Sequence, residues 1–214
     1  MKTMRTMKFI LGTKKGMTQV FDEAGISYPA TVLSVEPVTV VAIKTIATDG
    51  YNAVQVGYGI QKEQRLTKAE IGQRKGLGMF RHLAEFRVSA EQAATYKVGD
   101  KVSVEQFILG DKVAVRSRSK GKGFQGGVKR YHFKGGPRTH GQKHSEREVG
   151  SIGGPGRGGS GRVPKGKRMP GRMGGDMITV MNLKVLQVLP ETNELVLQGS
   201  LPGVRGVLVT IESK

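Results

Sequence analysis

Cysteine is absent from the 214 residues, which excludes disulfides, thiolate zinc sites, iron–sulfur clusters and a cysteine nucleophile. No run approaches the roughly 18 consecutive apolar residues that a membrane-crossing helix needs. The first apolar run, Met7 to Leu11, is short and broken by Lys8, and no small-residue cleavage site follows it. A signal peptide is therefore not expected, and the chain reads as cytoplasmic or the equivalent. Acids are also scarce: 17 Asp and Glu face 35 Lys and Arg, a formal charge of +18. That balance excludes an ordinary near-neutral enzyme and calls for a polyanionic partner, nucleic acid before an acidic membrane surface. The length suits one domain, or one domain carrying a large insertion.

The charge is concentrated. Residues 116–175 hold 16 of the cations and only two acids, Glu146 and Glu148, a net +14; the remaining 154 residues carry 19 cations and 15 acids. The same stretch lacks Leu and Ala, holds 18 of the 32 glycines, and has nine apolar residues. So few cannot offset an ordering cost of roughly 1–2 kcal/mol per residue, so the segment alone should be disordered or extended. The chain reads as a near-neutral core bearing a basic, glycine-rich arm.

The flanks carry a β pattern. Met7–Leu11, Met17–Phe21, Ile26–Val35, Val38–Ile46, Ala53–Tyr58, Lys101–Phe107 and Lys112–Arg116 are short apolar or β-branched runs. Turn signals such as Asp22-Glu23-Ala24-Gly25 and Glu36-Pro37 separate them. Beyond the arm, Met177–Leu189 alternates as a long strand, and Leu195–Gln198 and Val207–Ile211 follow. Close spacing of many strands predicts a mainly β fold, a small barrel or a sandwich. Helix signals are few: Thr67 can cap a turn through Arg74, and Ser89 with Gln92 forms a capping-box pattern. The expected organisation is a globular domain of residues 1–115 and 176–214, with a short helical insertion at about 61–95, and an extended arm of 116–175.

Several catalytic patterns occur and fail on context. Gly121 to Val128 fits a kinase glycine loop and Val41-Ala42-Ile43-Lys44 its lysine strand, but their order is reversed and the metal-binding Asp-Phe-Gly is missing. Gly156 to Gly161 fits a dinucleotide fingerprint with no strand before it. Gly161 to Lys167 fits a phosphate loop with Arg168 where magnesium needs Ser or Thr. His140 and His144 are four apart, yet Gly135, Gly136, Pro137 and Gly141 forbid the helix that would align them for a metal. Catalytic residues, bound metals and cofactors are not expected.

The arm suits a path along phosphates, with cations to neutralise them and glycines to let the backbone come close. The residues expected to meet RNA are Arg116, Arg118, Lys120, Lys122, Lys129, Arg130, Tyr131, His132, Lys134, Arg138, His140, Lys143, His144, Arg147, Arg157, Arg162, Lys165, Lys167, Arg168 and Arg172. Tyr131, His132 and Phe133 offer stacking surfaces for unpaired bases. Strands bracket the arm, and Pro137, Pro155, Pro164 and Pro170 stiffen it, so it reads as a tethered probe that orders on a specific partner rather than a solvated tail.

Long, ordered motifs carry a family resemblance. Gly12-Thr13-Lys14-Lys15-Gly16-Met17-Thr18-Gln19-Val20-Phe21 resembles the opening of the universal large-subunit ribosomal protein number three (uL3), bacterial type. Ser119 to Gly126 with Lys129-Arg130, Thr139-His140-Gly141, Gly150 to Gly153, Lys165 to Met169 and Gly171 to Gly174 match that family's signature. The likeness runs the whole chain, to Gly199-Ser200-Leu201-Pro202-Gly203. It implies a small closed β-barrel of the translation-factor and reductase kind on the large subunit's surface, with an arm threading 23S rRNA towards the peptidyl transferase centre. It further implies early binding during assembly, neighbouring large-subunit proteins as partners, no membrane and no small-molecule substrate; structural magnesium would belong to the RNA. The tip would be Ser151, Ile152, Gly153, Gly154 and Pro155, with Arg147 and Arg157 on its shoulders. Gly154 stands where some members carry a methylated glutamine, so that modification is not expected here. Ala114 replaces a preferred Asp or Asn, and Pro164 replaces a frequent aromatic. The alternative function is a free RNA chaperone or nucleoid-type binder, and a nucleotide-using enzyme ranks third.

Overall fold

A computed structural model describes residues 7–153 and 163–213. It is mainly β, with a few short helices. The strands are β1 (Phe9–Phe21), β2 (Ser27–Ser34), β3 (Val38–Lys44), β4 (Ala53–Ile60), β5 (Phe80–Arg87), β6 (Lys101–Val102), β7 (Lys112–Arg118), β8 (Phe124–Gln125), β9 (Gly171–Arg172), β10 (Met177–Leu189), β11 (Glu194–Gln198) and β12 (Leu208–Ser213). The helices are α1 (Ile46–Asp49), α2 (Lys68–Gln73), α3 (Ala90–Thr95) and α4 (Gly127–Tyr131). No described helix is long and apolar enough to cross a membrane. The chain divides into two compact units, Met1–Arg118 with Met177–Lys214, and Ser119–Asp176.

In the first unit six strands pair antiparallel in the cyclic order β1, β12, β7, β10, β11, β2, and β2 returns to β1. Two-residue alternation places the ring's interior: Val113, Val115 and Ser117 of β7 are buried while Lys112, Arg116 and Arg118 are exposed. Register shifts at Lys14/Gly16, Val180/Leu183 and Val185/Gln187 supply the bends that curl the sheet. The two apolar runs expected on either side of Gly12 form one strand, β1, bent at such a shift.

Glu36-Pro37 interrupts pairing, and the chain passes from the ring to a second antiparallel sheet ordered β5, β4, β3, β6. The start of β1 lies between the two layers, and Phe9, Ile10 and Leu11 are all fully buried. Phe9 stacks on Phe86 of β5 at 4.5 Å and meets Tyr96 at 5.5 Å, so one aromatic cluster joins ring and sheet.

The stretch expected as a short helical insertion, 61–95, holds helices α2 and α3 capped at Thr67 and Ser89, with strand β5 between them. Phe80, His82, Ala84 and Phe86 turn inward, and that period of two outweighs the helix formers on either side. Helix α2 opens with a full capping box: Glu70 N–H donates to Thr67 Oγ1, and the Glu70 carboxylate accepts from Thr67 N–H. Helix α3 has only half of one, Gln92 N–H donating to Ser89 Oγ at 3.3 Å. Lys101–Phe107 shortens to β6 and a 3-10 turn over Val104–Gln106.

Candidate nucleic-acid interface

The Ser119–Asp176 unit is built on a two-limbed stem. Ser119 N–H donates to the Asp176 carbonyl at 2.8 Å, and Asp176 N–H donates to Ser119 Oγ at 3.2 Å. Lys122 N–H then donates to the Met173 carbonyl, and Met173 N–H to the Gly123 carbonyl, each at 2.9 Å. The pairs Phe124↔Arg172 and Gln125↔Gly171 continue the ladder as β8 and β9. Gly174 makes the stem possible: its φ is +75°, and a Cβ there would lie 2.3 Å from the Lys120 carbonyl oxygen. Only glycine meets both conditions without cost.

Helix α4 follows β8. Its first residue, Gly127, is buried, and a Cβ there would come within 2.6 Å of Val149 and 2.9 Å of Phe133. The helix ends at His132 in the left-handed conformation, φ 60°. Arg130 then reaches the returning limb, donating from Nη1 to the Met169 carbonyl at 2.8 Å. Further on, Gly136 N–H donates to the Glu146 carbonyl at 2.8 Å, and Arg138 Nε pairs with Glu146 at 2.9 Å. Val149 and Phe133 thus close over Gly127, Tyr131 packs beside Phe133, and hydrogen bonds join the two limbs. Within the segment whose composition alone predicts disorder or extension, glycine lets the limbs approach closely enough to pair.

This scaffold turns charge outward. Lys120, Lys122, Lys129, Lys134, Arg138, Lys143, Arg147, Lys165, Lys167, Arg168 and Arg172 are exposed, as are His132, His140 and His144. Arg116 and Arg118 lie on the exposed face of β7 in the other unit, opposite Thr179 and Met177. Arg130 is half-buried and acts as a clasp. The aromatic group differs from expectation in its availability. Tyr131 is half-buried, with the guanidinium of Arg130 5.0 Å and that of Arg168 5.7 Å from its ring centre, and Phe133 packs at 6.0 Å. Phe124, which sequence reasoning passed over, is instead 77% exposed on β8. Its signal is an aromatic between Lys122 and Arg130 in a stretch too poor in apolar residues to cover it.

A groove of about 500 Å³ lies in this unit, lined by Phe133, Lys134, Val149, Ser151, Ile152, Lys167 and Arg168. Its lining brings apolar Phe133, Val149 and Ile152 together with cationic Lys134, Lys167 and Arg168. Ser151, Ile152 and Gly153 of the expected tip are described, Gly153 N–H donating to Ser151 Oγ at 3.3 Å. Gly154, Pro155, Arg157 and Arg162 lie outside the described residues. Among the described residues no three or more His, Asp or Glu gather as metal ligands.

The model of the family "Ribosomal protein L3" matches residues 87–201. The large ribosomal subunit protein uL3 of Carboxydothermus hydrogenoformans is 46% identical over 207 residues, covering 96% of this chain and 96% of that protein. Its counterparts in Desulfotalea psychrophila, 48% identical over 208 residues with 96% and 97% covered, and in Synechococcus sp. (strain JA-3-3Ab), 47% identical over 207 residues with 94% of each covered, are similar on the same scale. Matched by its motifs, by the family model and by relatives over nearly its full length, the chain belongs to the ribosomal protein L3 family: it is a ribosomal protein, and not an enzyme.

Proposed function

We propose that this protein is a structural constituent of the large ribosomal subunit that binds 23S rRNA and supports early subunit assembly. It works in the cytoplasmic ribosome. The six-stranded ring serves as a closed barrel of the translation-factor kind, docked on the subunit surface beside neighbouring large-subunit proteins. The arm enters the RNA, and its tip, Ser151 to Pro155, stands near the peptidyl transferase centre and shapes it through RNA rather than by chemistry of its own. No cofactor, small-molecule substrate or membrane enters this reading.

The observation that carries it is the arm's construction: a paired stem whose close approaches exclude side chains, with cations exposed along both limbs. Lysines and arginines meet phosphates, and bare glycine backbone lets the strands lie against them. If about ten of these cations meet phosphates, binding falls with a log–log salt slope of roughly −7 to −9.

The test is a tagged chain sedimented from magnesium lysate on sucrose gradients, before and after a high-salt wash. Salt-resistant migration with the large subunit is expected. Release into light fractions would replace this reading with that of a loosely bound RNA chaperone, and a salt slope near −2 would remove the arm as the principal contact.

A further inference from the structure

Outside the arm the chain is nearly neutral, and its surplus charge is local. Residues 62–81 hold six cations and two acids, whereas the remainder outside 62–81 and 116–175 balances 13 cations with 13 acids. The whole excess outside residues 116–175 therefore sits in 20 consecutive residues that pass through α2 and enter β5.

This lobe is built rather than loose. Arg74 is 4% exposed, and its Nη1 donates to the Phe80 carbonyl at 2.8 Å. Glu70 is occupied: its carboxylate accepts from Thr67 N–H and Thr67 Oγ1, each at 2.9 Å, and faces Arg74 Nη2 at 3.4 Å. Phe80 sits where a Gly57 side chain would be, 2.4 Å from its would-be Cβ, pinning the lobe's end to β4. One acid is thus consumed internally, and one cation is buried as the anchor.

Lys62, Arg65, Lys68, Lys75 and Arg81 remain, all exposed and without an ion pair among the described residues. Between them Gly72 and Gly76 leave bare backbone, with open space where each Cβ would stand. Exposed cations on a held backbone, beside uncovered glycines, are the arm's own chemistry in miniature. Lysine is depleted in protein–protein interfaces, whereas phosphate contacts draw on Lys, Arg and backbone N–H groups.

We propose that residues 62–81 form a second docking surface, on the globular unit, that grips the phosphate backbone of folded RNA. The proposal rests on the RNA-binding reading above and adds a contact that the arm does not supply. The lobe's backbone is already held by Arg74 and Phe80, so binding has only the cations' side chains left to order.

Two full-length variants separate the possibilities: Lys62→Gln/Arg65→Gln/Lys68→Gln/Lys75→Gln in the lobe, and Lys120→Gln/Lys122→Gln/Lys129→Gln/Lys134→Gln in the arm. Every altered side chain is exposed, and thermal melting confirms the fold. Each variant is titrated with protein-free 23S rRNA transcript over a KCl series and footprinted with hydroxyl radicals. Each should make the salt slope shallower by roughly three, at about 0.7–0.9 per phosphate contact, and erase a different set of protections. An unchanged slope and footprint for the lobe variant, with losses for the arm variant, overturns the lobe and leaves the arm reading standing. No change for either overturns both. A lobe variant that binds RNA normally but fails to recruit a neighbouring protein in reconstituted particles makes an acidic protein the occupant and overturns the RNA assignment.

Discussion

Arg130 Nη1 donates to the backbone carbonyl of Met169 at 2.8 Å, joining helix α4 on the outgoing limb of the arm to the returning limb. A Cβ on Gly171 would stand 2.6 Å from that same nitrogen, so the guanidinium occupies a slot that glycine leaves open. One of the most basic segments of the chain thus uses an arginine to hold itself together.

Arg130→Lys keeps the charge and loses the planar fork. The expected result is faster amide hydrogen exchange at Arg172 and Met173, with the loop unit weakened by about 1–2 kcal/mol and the ring strands unaffected. Unchanged protection in the loop would show that the clasp does not order the limbs.

Glycines in the arm should divide by geometry. Gly174→Ala meets a positive φ and the Lys120 carbonyl at 2.3 Å, so it should destabilise the stem by more than about 1–2 kcal/mol and expose the Lys122 amide to exchange. Gly121→Ala meets open space at an ordinary φ and should be close to neutral. Equal effects of the two on exchange would contradict the stem.

Phe9→Ala removes the ring stacked on Phe86 from a fully buried site between ring and second sheet. The expected loss is about 3–5 kcal/mol, read as a lower denaturant midpoint. A loss below about 1 kcal/mol would mean that the two layers do not depend on this aromatic pair.

On the second sheet, Lys44 Nζ lies 2.9 Å from both Tyr51 Oη and the Glu85 carboxylate, and Tyr51 Oη donates to Glu85 at 2.8 Å. The hydrogen bond from Lys44, assisted by that from Tyr51, holds the Glu85 carboxyl below the usual carboxylate range. Its contribution is therefore present above the unfolded glutamate's range and is lost as pH falls through the lower folded value. Glu85→Gln should narrow the stability difference between neutral and acidic pH; an identical acid profile would exclude this network. The group is largely exposed, so the change is expected to be small.

Strand positions are largely legible as apolar and β-branched runs between turn residues: Met177–Leu189 has the same bounds in the sequence pattern and in the fold, although two register shifts break its alternation. What escaped were features set by tertiary packing. Residues 80–87 form β5 because Phe86 finds Phe9, a partner 77 positions away that no local window contains. The arm's charge was plain in the composition, but its paired stem was not, since two-residue strands carry no periodicity and glycine gives no propensity for them. Tyr131 looked available for stacking because cations flank it; in the fold Arg130 and Arg168 approach its ring, and Phe124 is left open instead.

The pairing of β1 with β12, Phe9 opposite Glu212 through Thr13 opposite Leu208, fixes an order of events during synthesis. The strand that completes the ring is made after the arm. The arm's cations therefore leave the ribosome that is making them while β1 still lacks its β12 neighbour, and a long-range pairing of this kind is slow to form. Until it forms, the nascent chain exposes both an unpaired strand edge and a polycation. An RNA ligand or chaperone that meets the arm first would act on a globular unit not yet closed.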